Sequence, residues 1–188
     1  MIYFIQAGSG GVGAFAIQLA KHLGATVATT TSTGNVAWVK ALGADVVVDY
    51  TKEGFERVLS DYDVVLNSQD EKTLEKSLNV LKAGGQLISI SGPPTPEFAE
   101  ELKLPWFVKQ VTRALSFSAR KKAKQHNVDF SFLFMKASGS QLRQITPLFE
   151  SGAIRPVVDK VFPFDATNEA LAYVESGRAK GKVVIKVR

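Results

Sequence analysis

A glycine-rich segment near the start of the chain constrains the fold more than any other feature. It reads Gly8-Ser9-Gly10-Gly11-Val12-Gly13, directly after the apolar run Ile2–Gln6 and before the helical periodicity of Ala14–Leu23. In this spacing Gly8 permits a tight turn, Gly10 allows close approach of a ligand, and Gly13 lets the helix pack on the strand. The segment is not a P-loop, because Ala14-Phe15 stands where a Lys-Ser/Thr pair is required. We therefore expect a strand–turn–helix unit whose free N–H groups bind a pyrophosphate.

Strand-like and helix-like stretches alternate along the chain with short connections. Strands are predicted over Ile2–Gln6, Thr26–Thr31, Asp45–Val48, Asp63–Asn67, Gln86–Ile90 and Val128–Met135. Helices are predicted over Ala14–Leu23, Asn35–Leu42, Glu53–Leu59, Lys72–Leu81 and a longer region from Pro96 to about Gln125. This alternation is typical of a parallel sheet with helices on both faces. The predicted fold class is α/β, a Rossmann-type doubly wound sheet of six parallel strands in the order 3-2-1-4-5-6.

The C-terminal part continues with a helix, an extended piece, a second helix and a last strand. These are predicted over Gln141–Ser151, Val157–Val161, Asn168–Ser176 and Lys182–Val187. We assign residues 1–161 to a cofactor-binding domain and residues 162–188 to a C-terminal helix–strand tail. No internal repeat or low-complexity tract interrupts the chain.

The end of the second predicted strand indicates the type of dinucleotide. A site that prefers NAD(H) places an Asp or Glu there, about 20 residues after the glycines, to bind the ribose 2′-hydroxyl. This chain has Thr29-Thr30-Thr31-Ser32-Thr33-Gly34-Asn35 and no carboxylate. Hydroxyls and an amide can donate hydrogen bonds to a 2′-phosphate, which a carboxylate would repel. The segment therefore favours NADP(H), and it counts against a methyltransferase that binds S-adenosylmethionine.

Other catalytic arrangements are missing from the sequence. The absence of cysteine excludes disulfides, thiol nucleophiles and cysteine-ligated metals within these residues. The two histidines, His22 and His126, are expected on a helix or loop surface, and no HExxH or GxSxG motif occurs. We therefore predict no metal site and no catalytic side chain, only cofactor binding.

The net charge of +5 is concentrated in one stretch. Residues 102–127 contain seven basic residues and no acidic one, so the remainder is slightly acidic. We interpret this stretch as a solvated helical face, with Trp106, Phe107 and Phe117 facing a core, and we expect no nucleic-acid partner. No stretch is long and apolar enough to span a membrane, so no membrane partner is expected. The start has no basic segment of a signal peptide, and we expect a cytoplasmic protein.

Several short segments together resemble a known family. They are Ala7–Gly13 with Ile17–Lys21, Leu42–Asp45, Val48–Tyr50, Leu81–Gly85, Ser151–Pro156 and Gly181–Val184. In these segments the chain is similar to the zinc-independent medium-chain dehydrogenases/reductases, and within them to the quinone oxidoreductases and alkenal/enone reductases. The resemblance covers essentially all 188 residues.

The resemblance implies NADPH as hydride donor to a quinone or to the β-carbon of an α,β-unsaturated carbonyl. It implies that Ser9 to Val12 hold the pyrophosphate, that Ser32, Asn35 and Tyr50 surround the 2′-phosphate, and that Lys182 reaches the phosphates. It places Asn67, Ser91 and Phe134 at the nicotinamide end. The cofactor-binding residues expected are thus Gly8, Ser9, Gly10, Gly11, Val12, Gly13, Thr31, Ser32, Asn35, Tyr50, Asn67, Ser91, Phe134 and Lys182.

The chain departs from the family pattern in two short segments. Many relatives have Lys where this chain has Asn35, and many have Gly-Gly where it reads Asn67-Ser68-Gln69. Family members also begin with a barrel-like catalytic domain, which we expect to be absent here. The chain is accordingly expected to turn over weakly in isolation, and a non-catalytic NADPH-binding module is the alternative. Family members pair through the sixth strand, so a homodimer through residues 128–135 is expected.

Overall fold

Six parallel strands form the main sheet of the computed structural model, which describes all 188 residues. They are β1 Ile2–Ile5, β2 Thr26–Thr31, β3 Val46–Asp49, β4 Tyr62–Asn67, β5 Leu81–Ser89 and β6 Asp129–Phe132. Their order is β3-β2-β1-β4-β5-β6, and every neighbouring pair is parallel. The predicted α/β fold class and strand order are therefore confirmed. Because the order reverses between β1 and β4, a crevice opens at the carboxyl ends of these strands.

Eight helices accompany the strands. They are α1 Gly11–His22, α2 Val36–Ala41, α3 Glu71–Ser77, α4 Pro96–Glu101, α5 Trp106–Leu115, α6 Phe117–Gln125, α7 Gly139–Glu150 and α8 Thr167–Glu175. Their ends follow from local sequence. Gly24 ends α1 at φ +79°, with the paired bonds Ala25 N–H to Ala20 O and Gly24 N–H to Lys21 O. At the start of α3 the Asp70 carboxylate accepts the Thr73 N–H at 2.9 Å.

Two hydrophobic clusters cover the two faces of the sheet. Successive residues of β1 point to opposite faces, so Phe4 belongs to one cluster and Ile5 to the other. The Phe4 ring lies 4.8 Å from the Phe55 ring, and Ile17 of α1 is fully buried in the second cluster. The central strand β1 is thereby fixed from both sides, which holds the glycine segment that follows it.

Four predicted strands or helical regions differ most from the structure. Strand β5 begins at Leu81, ahead of the predicted start at Gln86, so it takes the last residue of the predicted helix Lys72–Leu81. Only a 3-10 turn at Phe55–Arg57 forms within the predicted helix Glu53–Leu59, because Val58 leaves the helical region at φ −122°. The predicted helical region from Pro96 to about Gln125 is three helices. Its first break contains Lys103 at φ +52° and Pro105. The predicted strand Val128–Met135 pairs only over Asp129–Phe132, since its partner β5 ends at Ser89.

The expectation that three aromatic side chains face a core is wrong. Trp106, Phe107 and Phe117 are 76%, 55% and 60% exposed. The aromatic residues do recur at helical spacing. However, α5 packs on the rest of the molecule through the neighbouring side of the helix, which carries Thr112.

The C-terminal residues form a second, smaller sheet. Strands β7 Val158–Pro163 and β8 Lys182–Lys186 are parallel, and α8 connects them. This sheet is tied to the glycine segment, because Gly181 forms a bridge with Gly10 and donates its N–H to the Ser9 carbonyl at 3.1 Å. Gln18 of α1 exchanges two hydrogen bonds with the Arg155 backbone nearby. None of the eight helices has the length and apolar character needed to cross a bilayer.

Candidate functional site

The glycine segment makes a tight turn at the carboxyl end of β1. Ala7 has φ +53°, and Gly8 donates its N–H to the Thr30 carbonyl at 2.9 Å. A Cβ on Gly13 would overlap the Ala7 carbonyl oxygen, and one on Gly8 would overlap the Thr29 hydroxyl. A side chain at Gly13 would therefore push α1 away from the turn after β1, and one at Gly8 would push against β2.

The first turn of α1 has backbone donors without a partner in the chain. The N–H groups of Gly11, Val12 and Gly13 donate to no group of the chain, and Gly10 at the N-cap has no side chain to cap them. The first turn contains no acidic residue either. Unsatisfied N–H groups and the positive end of the helix dipole favour an anion at this position.

Thr31, Ser32, Asn35 and Tyr50 come together at the carboxyl end of β2. Tyr50 donates its N–H to the Thr31 carbonyl at 3.1 Å, and the Asn35 amide donates to the Ser32 hydroxyl at 3.2 Å. Two polar atoms in this group are buried without a hydrogen-bond partner, the Thr31 hydroxyl and the Asn35 amide oxygen. Buried polar atoms normally have partners. The two orphaned atoms therefore fit a site completed by a polar group from outside the chain.

A carboxylate of the neighbouring strand β3 lies beside the end of β2. Asp49 is opposite Thr31 in the sheet register, and its oxygens accept hydrogen bonds from the hydroxyls of Thr33 at 2.6 Å and Thr51 at 2.7 Å. These hydrogen bonds, that of Thr33 first, lower the pKa of Asp49 to about 2. The Lys52 ammonium nitrogen also lies 3.6 Å from a carboxylate oxygen of Asp49. The charge is thus compensated within the chain, and Asp49 holds the turn after β2 instead of extending towards a ribose.

The nicotinamide-end residues are brought together only in part. Asn67 is fully buried at the end of β4, and its amide donates to the hydroxyls of Ser89 at 3.1 Å and Ser91 at 3.3 Å. Phe134 instead packs its ring 5.5 Å from that of Phe98 on α4. The end of β4 therefore offers hydroxyl and amide groups, with an aromatic pair beyond β6.

Lys182 reaches the glycine segment from the C-terminal sheet. A Cβ placed on Gly11 would lie 3.0 Å from the Lys182 ammonium nitrogen, so the charge lies over the first residue of α1. The bridge between Gly10 and Gly181 fixes this position. The Lys182 ammonium group and the free N–H groups at the start of α1 therefore lie around the same space.

A cleft of about 410 Å³ lies beside this space, at the carboxyl ends of β1, β2 and β3. Ala7, Thr30 and Tyr50 line one side, and residues of α3 line the other. Thr30 also accepts the Ala7 N–H on its hydroxyl at 3.1 Å, a role that the sequence argument missed. A run of three threonines at the end of a buried strand was the available signal for it.

Comparison with known proteins places the chain in a family. The profile of the zinc-binding dehydrogenases matches residues 42–185, more than half of the chain. The chain belongs to the zinc-binding dehydrogenase family. The predicted resemblance to medium-chain dehydrogenases/reductases of the quinone and enone type is thereby confirmed.

Relatives in this family are longer proteins. The 2-methylene-furan-3-one reductase of Solanum lycopersicum is 38% identical over 185 residues, which are 96% of this chain and 39% of the relative. The chloroplastic NADPH-dependent alkenal/one oxidoreductase of Arabidopsis thaliana is 36% identical, over 95% of this chain and 38% of its own. The quinone oxidoreductase of Coxiella burnetii superposes with a TM-score of 0.82 at 29% identity, over 100% of this chain and 53% of its own. The chain thus spans about half or less of each relative.

The donor set of this zinc-binding dehydrogenase chain does not fit a zinc ion. It has no cysteine and two histidines, and no three residues among His, Cys, Asp and Glu lie close enough together to hold a metal.

Proposed function

We propose that this chain is the NADPH-binding portion of an oxidoreductase that reduces quinones or α,β-unsaturated carbonyls. One observation carries the choice of cofactor. The carboxyl end of β2 has no free carboxylate, and the buried Thr31 hydroxyl there has no partner in the chain and can donate to a phosphate oxygen. The relatives named for alkenal/one and quinone reduction support the reaction class.

The residues of the chain would bind and orient the two ends of the cofactor. Ser9 to Val12 would hold the pyrophosphate over α1, through the free N–H groups of Gly11 and Val12 and together with Lys182. Ser32, Asn35 and Tyr50 would surround the 2′-phosphate, and the cleft beside β1 would take the adenosine. Asn67 and Ser91 would align the nicotinamide and its ribose, with Phe134 at the far side.

When bound, NADPH supplies a hydride to an acceptor double bond or quinone. The chain contributes position rather than proton transfer, because the groups around Asn67 are hydroxyls and an amide. This observation also favours a second candidate, a module that binds NADPH without catalysis.

We propose residues 1–161 as the cofactor domain and residues 162–188 as a C-terminal tail. Strand β7 runs two residues past that boundary. A cytoplasmic location stays a prediction, since the Arabidopsis relative is chloroplastic.

The test is a fluorescence titration with NADPH and NADH. The wild-type chain should bind NADPH more tightly, and Ser32→Asp should weaken NADPH binding roughly tenfold or more, because the new carboxylate repels the 2′-phosphate. NADH affinity should change little. The matched control is Ser140→Asp on the exposed start of α7, which should leave both affinities unchanged.

Two results would contradict the proposal. The first is wild-type binding of NADH at least as tight as that of NADPH, and the second is an equal effect of Ser32→Asp on both cofactors. Assays of quinone and enone reduction, with this chain and with any longer form, then separate the reductase from the non-catalytic module. Binding without turnover in every form would favour the module.

A further inference from the structure

Helix α5 turns its apolar side outward. Its packed stripe is Val108, Thr112 and Ser116, of which Thr112 and Ser116 are buried. The two buried hydroxyls are satisfied within the helix, Thr112 by the Lys109 carbonyl at 2.9 Å and Ser116 by the Thr112 carbonyl at 2.7 Å. An ordinary surface helix buries its apolar stripe and exposes its polar one. Here the hydroxyl-bearing stripe is buried instead.

The adjacent stripe of α5 is apolar and exposed. Phe107, Val111 and Leu115 recur every four residues, and they are 55%, 54% and 59% exposed. Trp106 begins the helix, and Phe117 follows its end, so aromatic side chains flank the stripe. Nothing in the cofactor site uses this surface, which we call the α5 face and define by these five residues.

Basic residues lie near both ends of the α5 face: Lys103 precedes α5, Arg113 is in its last turn, and Arg120 donates to the Ser116 hydroxyl and the Arg113 carbonyl. Two of the seven basic residues between 102 and 127 form ion pairs, Lys109 with Glu100 and Lys122 with Glu75. The other five have no acidic partner within ion-pair distance; they are Lys103, Arg113, Arg120, Lys121 and Lys124. A partner that combines negative charge with an apolar interior would complement this surface.

We propose that the α5 face binds an anionic membrane surface, with α5 lying in the plane of the lipid headgroups. Aromatic and aliphatic residues on one side of a short helix, with Lys and Arg on another, are the composition of interfacial helices. Each Lys or Arg near an anionic bilayer adds attraction that falls off with salt. A second copy of the chain fits less well, since pairing by two-fold symmetry would bring two such positive surfaces together. The inference departs from the sequence-based expectation of no membrane partner and does not rest on the cofactor.

Vesicle flotation tests the membrane proposal directly. The chain should float with vesicles of phosphatidylcholine and phosphatidylserine, but not with phosphatidylcholine alone, and raised salt should reduce the bound fraction. Leu115→Asp should lower partitioning roughly tenfold or more, because it adds a charge and removes an apolar contact. Leu171→Asp is the matched control: Leu171 is a leucine of α8 that is 56% exposed, and its substitution should leave partitioning unchanged.

Three results would overturn the proposal. They are equal flotation with neutral and anionic vesicles, no flotation with either, and equal flotation of Leu115→Asp and wild type. A mass twice that of the chain in light scattering, lost in Leu115→Asp, would assign the α5 face to a second copy instead. Circular dichroism of both variants checks that the fold is retained, and Phe107→Ser gives a milder substitution should Leu115→Asp unfold.

Discussion

At the scale of single residues, the three threonine hydroxyls at the end of β2 differ in whether they have a hydrogen-bond partner in the chain. The Thr29 hydroxyl donates to the Ile5 carbonyl, and the Thr30 hydroxyl accepts from Ala7, so both join β2 to β1 and the glycine segment. The Thr31 hydroxyl has no partner and is buried. Leaving such a group unsatisfied costs about 1–3 kcal/mol. A bound group that reached Thr31 would therefore recover part of this free energy.

Asp49 gives a pH-dependent prediction at the same scale. Its pKa is lowered from 3.8 to about 2 by hydrogen bonds from Thr33 and Thr51. A lowered pKa in the folded state means that the carboxylate stabilises the fold above pH 3.8 and loses this contribution as the pH falls through about 2. We expect the difference in free energy of unfolding between wild type and Asp49→Asn to shrink over that range.

Urea unfolding at several pH values measures this difference. The control is Asp129→Asn, which removes the same group from an exposed position. A difference for Asp49→Asn that changed with pH no more than that of Asp129→Asn would show that the hydrogen bonds of Asp49 do not stabilise the fold.

At the scale of elements, strands were predicted better than helices and connections. Alternating apolar segments around glycines determine the order of six strands, since parallel crossovers permit few arrangements. The ends were less predictable, because they depend on partners distant in sequence: β6 stops where β5 ends at Ser89. The same holds for the site. The glycine turn follows from local spacing, whereas the contact of Asp49 with Thr33 depends on strand register.

The C-terminal sheet gives a prediction at the scale of elements. Because the bridge at Gly181 holds the Lys182 ammonium over α1, Lys182→Ala should weaken NADPH binding about fivefold, as expected for about 1 kcal/mol from one exposed charge. Lys186→Ala, at the far end of β8, is the control and should bind NADPH like wild type. The difference in NADPH affinity between wild type and Lys182→Ala should become smaller as the salt concentration is raised. Equal affinities of the two variants would remove Lys182 from the site.

At the scale of the whole molecule, the sheet ends in an exposed edge. Leu133 donates its N–H to Ser89 of β5, and donors alternate along a strand, so the N–H groups of Phe130 and Phe132 point to the free edge. Unpaired edge groups favour pairing with another strand. We propose that two copies pair through this edge, within residues 128–135.

Light scattering after size exclusion tests the edge pairing at micromolar concentration. The wild-type chain should have twice the mass of one chain. Ser131→Lys should give a single chain, because a lysine in the middle of a four-residue strand brings like charges together wherever two copies pair. Ser176→Lys adds the same charge at the C-terminal end of α8, where the helix dipole tolerates it, and should leave the dimer intact. A wild-type chain that is monomeric, or a Ser131→Lys chain that still dimerises, would exclude β6 as the interface.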